Sequence, residues 1–149
     1  MKKNDTTIIE IKEDDNISNI NYLQLEDTII NDIINEKDYN CIDNIDSTVY
    51  IIHYPDGKLS VSYGILYDVV KDDDNEKFNF LHRCNTNYGS SGSPVLNEKN
   101  KVIGIHKENY VYHNFKGGTF LNYPIKEFIE KNYDYTKNLG KNIKMMIMP

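Results

Sequence analysis

Apolar and polar positions alternate over much of the chain, and the alternation predicts strands. Thr6–Ile11 is rich in β-branched residues and reads as a first strand. From Thr48 the pattern sharpens. Thr48–Tyr54 reads as a strand, closed by the turn residues Pro55-Asp56-Gly57. Leu59–Val70 alternates as a long strand, and Lys77–Arg83 sets Phe78, Phe80 and His82 against Lys77, Asn79 and Leu81. The charged run Lys71–Glu76 between them fits a hairpin tip. Pro94–Leu96 and Lys101–His106 are short strands joined by Asn97–Asn100, and Gly117–Leu121 adds another. Pro124–Tyr133 changes period: Ile125, Phe128 and Ile129 fall on one helical face, with Pro124 in the first turn. Short strands, frequent turns and one terminal helix predict an all-β antiparallel barrel or sandwich.

The stretch Lys12–Asp46 fits this pattern poorly. Its acids, among them Asp14, Asp15, Glu26, Asp27, Asp32 and Asp38, are opposed only by Lys12 and Lys37, with isoleucines and leucines interspersed. Asp27–Glu36 could form a short helix. The whole reads as a solvated connection with apolar anchors.

Composition narrows the classes. At 149 residues, 39% hydrophobic, the chain has room for one core and not comfortably for two domains. The net charge of -6, with 16 lysines and the single arginine Arg83 dispersed, gives nucleic acid no basic patch to bind. No apolar run approaches the roughly 20 residues of a membrane span. Asn and Ile each occur 20 times and Ala and Trp not at all, a skew toward A/T-rich codons that says little about function. Cys41 and Cys84 make no disulfide framework and read as reduced thiols of an intracellular protein; no signal peptide follows Met1. His82-Arg83-Cys84 offers only two ligands, and Asp72-Asp73-Asp74 lacks the glycine and distal glutamate of a calcium loop. No metal or cofactor is expected.

The chemistry lies in Thr86–Val95, TNYGSSGSPV. Gly89 and Gly92 permit backbone conformations closed to other residues, so a serine between them can be held with its hydroxyl outward beside converging amides. A plain Gly/Ser turn remains open on these residues alone. The G-x-S-x-G elbow of α/β-hydrolases is set aside, because Ser93 stands two after Ser91 and the flanking strands do not suggest a parallel sheet.

Gly89–Pro94, GSSGSP, resembles the nucleophile motif of trypsin-like serine proteases, and Gly89–Lys107 is especially similar to the bacterial glutamyl endopeptidases among them. Three further stretches match in order. Asn4–Ile11 resembles the segment carrying the triad aspartate, Ile51–Lys58 a strand and turn of the second barrel, and Gly117–Glu130 the closing strand and C-terminal helix. The resemblance implies an antiparallel Greek-key barrel with a C-terminal helix. It divides the chain into residues 1–47 (remnant of a first barrel and the connection), 48–135 (second barrel and helix) and 136–149 (tail). It implies Ser91 as nucleophile, the amides of Gly89 and Ser91 as oxyanion hole, and Asp5 as the group orienting a catalytic histidine. Thr86, five before Ser91, and His106, fifteen after it, match the residues that receive an acidic side chain in glutamyl endopeptidases. Asn85 stands where a trypsin-like pocket would need an acid, which disfavours cleavage after Lys or Arg. Two positions depart from the family: Ser90, where Asp or Asn is usual, and Lys107-Glu108-Asn109, where Trp-Gly-Gly is usual.

The resemblance also requires a histidine base, which the family carries upstream of the aspartate. The histidines here are His53, His82, His106 and His113, all in the second-barrel region. The chain alone is therefore expected to be inactive. Three explanations stay open: a fragment of a complete protease, a degenerate paralogue, or a first barrel supplied by another chain. A peptide or protein substrate is the expected partner. The functional alternative is an inactive protease-like barrel that binds peptides or proteins.

Overall fold

A computed structural model describes residues 6–9, 22–35, 44–70, 79–110 and 114–132. Six antiparallel strands close into a barrel: β2 (Thr48–His53), β3 (Ser60–Val70), β4 (Asn79–His82), β5 (Pro94–Asn97), β6 (Lys101–Tyr110) and β7 (Phe115–Phe120). Their order is β6-β5-β2-β3-β4-β7, and the β6–β7 pairing closes the ring. A two-residue strand β1 (Gln24–Leu25) lies parallel to β6, followed by helix α1 (Asp27–Ile34). The chain ends its described part in helix α2 (Asn122–Asn132).

The alternation of β2 explains how the barrel fills. Val49, Ile51 and His53 are buried, and Tyr50 and Ile52 take the opposite face. The interior cluster joins Val49, Ile51, Leu66, Phe80, Cys84, Val95, Ile103 and Phe120. Phe80 is its centre, tilted at 48° against Phe120 with ring centroids 4.6 Å apart. A second cluster lies outside the barrel wall. There Leu96 and Val102 meet Ile29 and Ile33 of α1, and Leu121, Ile125 and Ile129 at α2. Strands β5 and β6 are thus covered on both faces.

The acidic connection therefore contributes to the core more than its charge suggests. Its isoleucines at 29 and 33, four apart, stack on one face of α1. Glu26 N–H donates to Val102 O at 3.0 Å, and the Asn97 amide donates to the Glu26 carboxylate, tying the start of α1 to β5 and β6. The expected first strand needs correction: residues 6–9 form no strand, with Ile8 packed on the second cluster and Ile9 exposed. They pair with no sheet, so β-propensity alone could not make a strand there. Residues 10–11, the expected hairpin tip at 71–76 and the tail lie outside the described residues. Among the described residues, no helix is long and apolar enough to cross a membrane.

Candidate active site

The loop between β4 and β5 is built by its glycines. Gly89 has φ 88° and Gly92 has φ 86°, left-handed values that cost any other residue strain. Gly89 is fixed a second time by crowding, since a Cβ there would stand 2.6 Å from the Tyr54 carbonyl oxygen. The turn Pro55–Gly57 docks on the same loop. Asp56 N–H donates to Tyr88 O at 2.8 Å, and Asn87 Nδ2 donates to Asp56 Oδ2 at 3.0 Å. Two of the four family-like stretches, Ile51–Lys58 and the one opening at Gly89, are thus braced together through this loop.

Within the loop the amides divide by use. Ser90 N–H donates to Asn87 O, Gly92 N–H to His106 O at 2.8 Å, and Ser93 N–H to Ser90 O. Among the described residues, the amides of Gly89 and Ser91 donate to no other group. Ser91 is exposed, and its hydroxyl donates to Lys107 O at 3.0 Å. A neutral carbonyl orients that hydroxyl without accepting its proton. Among the described residues, no side chain that could act as a base is bonded to the Ser91 hydroxyl.

Three histidines lie behind the loop, all turned inward. His53, His82 and His106 are 2%, 0% and 3% exposed. His53 Nδ1 lies 2.8 Å from Ser90 Oγ, and Ser90 Oγ accepts from Asn87 N–H at 3.2 Å. His82 Nε2 lies 3.1 Å from His106 Nδ1, and Cys84 N–H donates to His82 Nδ1 at 3.2 Å. His106 is also tied to the loop through its backbone, with His106 N–H donating to Ser93 O at 2.8 Å. None of these three is the hydrogen-bond partner of Ser91, and His113 lies outside the described residues.

The residues matched by a family model described as a trypsin-like peptidase domain are 5–105. The chain belongs to that family. A stretch of 49 residues is 47% identical to a glutamyl endopeptidase of Staphylococcus aureus strain MW2, covering 33% of this chain and 15% of that protein. A solved Glu endopeptidase in complex with MPD is 23% identical at TM-score 0.47, covering 59% of this chain and 42% of that chain. An HtrA-type protease, AlgW, with a decapeptide is 16% identical at TM-score 0.47, covering 60% and 31%. The chain thus spans well under two thirds of these relatives' lengths.

Measured against the trypsin-like pattern, the described residues place Ser91 on the surface, Gly89 beside it, and Thr86 and His106 in the interior at 7% and 3% exposure. Asp5 lies outside the described residues. Two residues had no assigned role in the sequence reading. His53 meets the hydroxyl of Ser90, the residue before Ser91. His82 pairs with His106. The signal for both was present: His53 falls in phase with Val49 and Ile51, and His82 in phase with Phe80. Their partners, 37 and 24 residues away, were not legible. Among the described residues, no group of three or more His, Cys, Asp or Glu could hold a metal ion. The Cys84 thiol is pushed up to about 12 by burial, which makes it a poor nucleophile.

Burial dominates the histidines too. It pulls His82 down to about 3, helped by His106 and Lys116. It pulls His106 down to about 4, with His53 and Lys116 adding to the effect and a backbone hydrogen bond at Gly117 opposing it. Burial also lowers His53. A histidine held below its usual 6.5 binds fewer protons folded than unfolded between the two values. Its contribution is full above 6.5 and is lost as pH falls toward 4 and then 3, at up to about 1.4 kcal/mol per pH unit for each group. Urea midpoints are therefore expected to fall between pH 7 and pH 4, and to fall less steeply in His82→Gln. Equal slopes in the two proteins would contradict this.

Proposed function

We propose that this chain carries the nucleophile and the primary specificity pocket of a trypsin-like serine endopeptidase. The observation that carries the reading is the exposed residue Ser91, with its own amide and that of Gly89 both unused among the described residues, on a loop held by two left-handed glycines. In the proposed reaction Ser91 Oγ attacks the scissile carbonyl of a peptide or protein substrate. The two amides stabilise the oxyanion. The leaving amine departs, and water resolves the acyl-enzyme on Ser91.

The general base comes from outside the described barrel, in this reading. His53 is engaged with Ser90, and His82 and His106 with one another, so none stands ready to take the Ser91 proton. A first barrel, in the same polypeptide or a separate one, supplies the histidine, and Asp5 orients it. Residues 1–47 then belong to the first barrel and its connection, and 48–135 to the second.

Thr86 and His106 are assigned to recognition of an acidic residue before the cleaved bond. Their spacing from Ser91 supports this, and so does the backbone tie of His106 to Gly92 and Ser93, which couples the pocket wall to the nucleophile loop. The test uses the assembled protease and paired peptides differing only in Glu or Gln before the scissile bond. His106→Ala is expected to remove at least tenfold of the preference for Glu while cleavage of the Gln peptide persists. An unchanged ratio would rule out His106 as the selecting residue. The donation from Ser91 Oγ to Lys107 O also favours a second reading, an inactive barrel that binds peptides through the same cleft. Absence of Ser91-dependent cleavage in the assembled protein would select it.

A further inference from the structure

The hydrogen bonds around His82 determine the proton positions on two rings. Cys84 N–H donates to His82 Nδ1 at 3.2 Å, so that nitrogen presents its lone pair. A neutral His82 then carries its proton on Nε2. Nε2 lies 3.1 Å from His106 Nδ1, so His82 donates and His106 Nδ1 accepts. His106, neutral in turn, carries its proton on Nε2.

We propose that His82 is a positioning residue that locks His106 as the neutral Nε2–H tautomer, so that the ring meets an acidic side chain as a hydrogen-bond donor and not as an imidazolium. The acid-binding half of this inference rests on the pocket assignment of His106 made above; the lock itself does not. A second proton on His106 Nδ1 would point straight at the Nε2–H of His82. Relieving that clash requires His82 to move its proton to Nδ1, where Cys84 N–H already donates. The lock is therefore anchored in the backbone of the strand end at β4.

The other groups around His106 act in the same direction. His53 from β2 and Lys116 from β7 both disfavour a positive charge on the ring. A backbone hydrogen bond at Gly117 is the opposing influence. A carboxylate entering the pocket accepts from the remaining Nε2–H in a charge-assisted hydrogen bond, about twice as strong as a neutral one, without any proton being taken up.

Long-range proton–nitrogen spectra of the chain labelled with ¹⁵N-histidine test the lock at pH 7. The expected result is an Nε2–H pattern for His106 in the wild type. It persists in His82→Gln, whose amide nitrogen stands near the lost Nε2, and becomes a tautomer mixture in His82→Leu. A wild-type Nδ1–H pattern, or a His82→Leu pattern indistinguishable from wild type, would overturn the lock. The same spectra, followed with a short peptide ending in glutamate amide, test the acid-binding half. Affinity is expected to change by less than about threefold between pH 5.5 and 7.5. A loss approaching tenfold per pH unit would mean proton uptake and would refute the neutral donor. A peptide that leaves the His106 signals unmoved would remove the pocket assignment, with the lock still decided by the tautomer pattern.

Discussion

Phe80→Ala is expected to destabilise the chain by about 3–5 kcal/mol, enough to unfold a domain of ordinary stability. Phe80 is fully buried at the centre of the barrel, and glycines in the next two strands along, β7 and β6, make room for its ring. A Cβ at Gly118 would stand 2.3 Å from its Cζ, and a Cβ at Gly104 would stand 2.6 Å from its Cε1. The ring thus fills space that no neighbouring side chain can occupy, and its loss leaves a cavity that the barrel cannot close by a simple rotamer change. Chemical denaturation monitored by circular dichroism reads the effect. A loss below about 1 kcal/mol would mean that the barrel interior is not packed around this residue.

Gly89→Ala is expected to be much more damaging than Gly92→Ala, although the two glycines have nearly equal φ, 88° and 86°. Both substitutions incur left-handed strain of about 1–3 kcal/mol. Only at residue 89 does the added carbon also meet a fixed atom, the Tyr54 carbonyl oxygen at 2.6 Å; at residue 92 nothing lies within 4 Å. Relief at residue 89 must separate the nucleophile loop from the Pro55–Gly57 turn and swing the Gly89 amide away from Ser91. Under the proposed function, with the Gly89 amide as an oxyanion donor, its displacement is expected to lower kcat of the assembled protease by about 10²–10³-fold. Equal stability losses and equal rate losses in the two variants would show that the Tyr54 contact does not define the loop.

Legibility in the sequence followed the range of the interactions. The strands from Thr48 onward were readable because a barrel wall has one buried face and the period of two survives in residues such as Val49, Ile51 and His53. The helix at Asn122–Asn132 was readable from Ile125 and Ile129. The loop Gly89–Pro94 was readable because its conformation is a local matter of glycine placement. The connection was harder. Its charge suggested solvent, yet Ile29 and Ile33 seal the outer face of β5 and β6, a partner that lies about 70 residues further along the chain. The strand expected at Thr6–Ile11 rested on β-propensity, which has no force without a neighbouring strand to pair with. The histidine pairs were invisible for a related reason. Alternation tells which way His53 and His82 point, but not which ring or hydroxyl they meet across the barrel.

The most direct test of the central claim is fluorophosphonate labelling, read by mass spectrometry of the peptide containing Ser91, for the chain alone and for the chain assembled with a histidine-bearing first barrel. General-base assistance contributes about 10²–10⁴-fold to such a step, and among the described residues the Ser91 hydroxyl is hydrogen-bonded to the Lys107 carbonyl. The predicted result is labelling at Ser91 in the assembled protein only, absent from Ser91→Ala. Robust labelling of the chain alone that disappears in Ser91→Ala would show that a base already lies within it. No labelling of a correctly assembled protein would show that Ser91 is not the nucleophile.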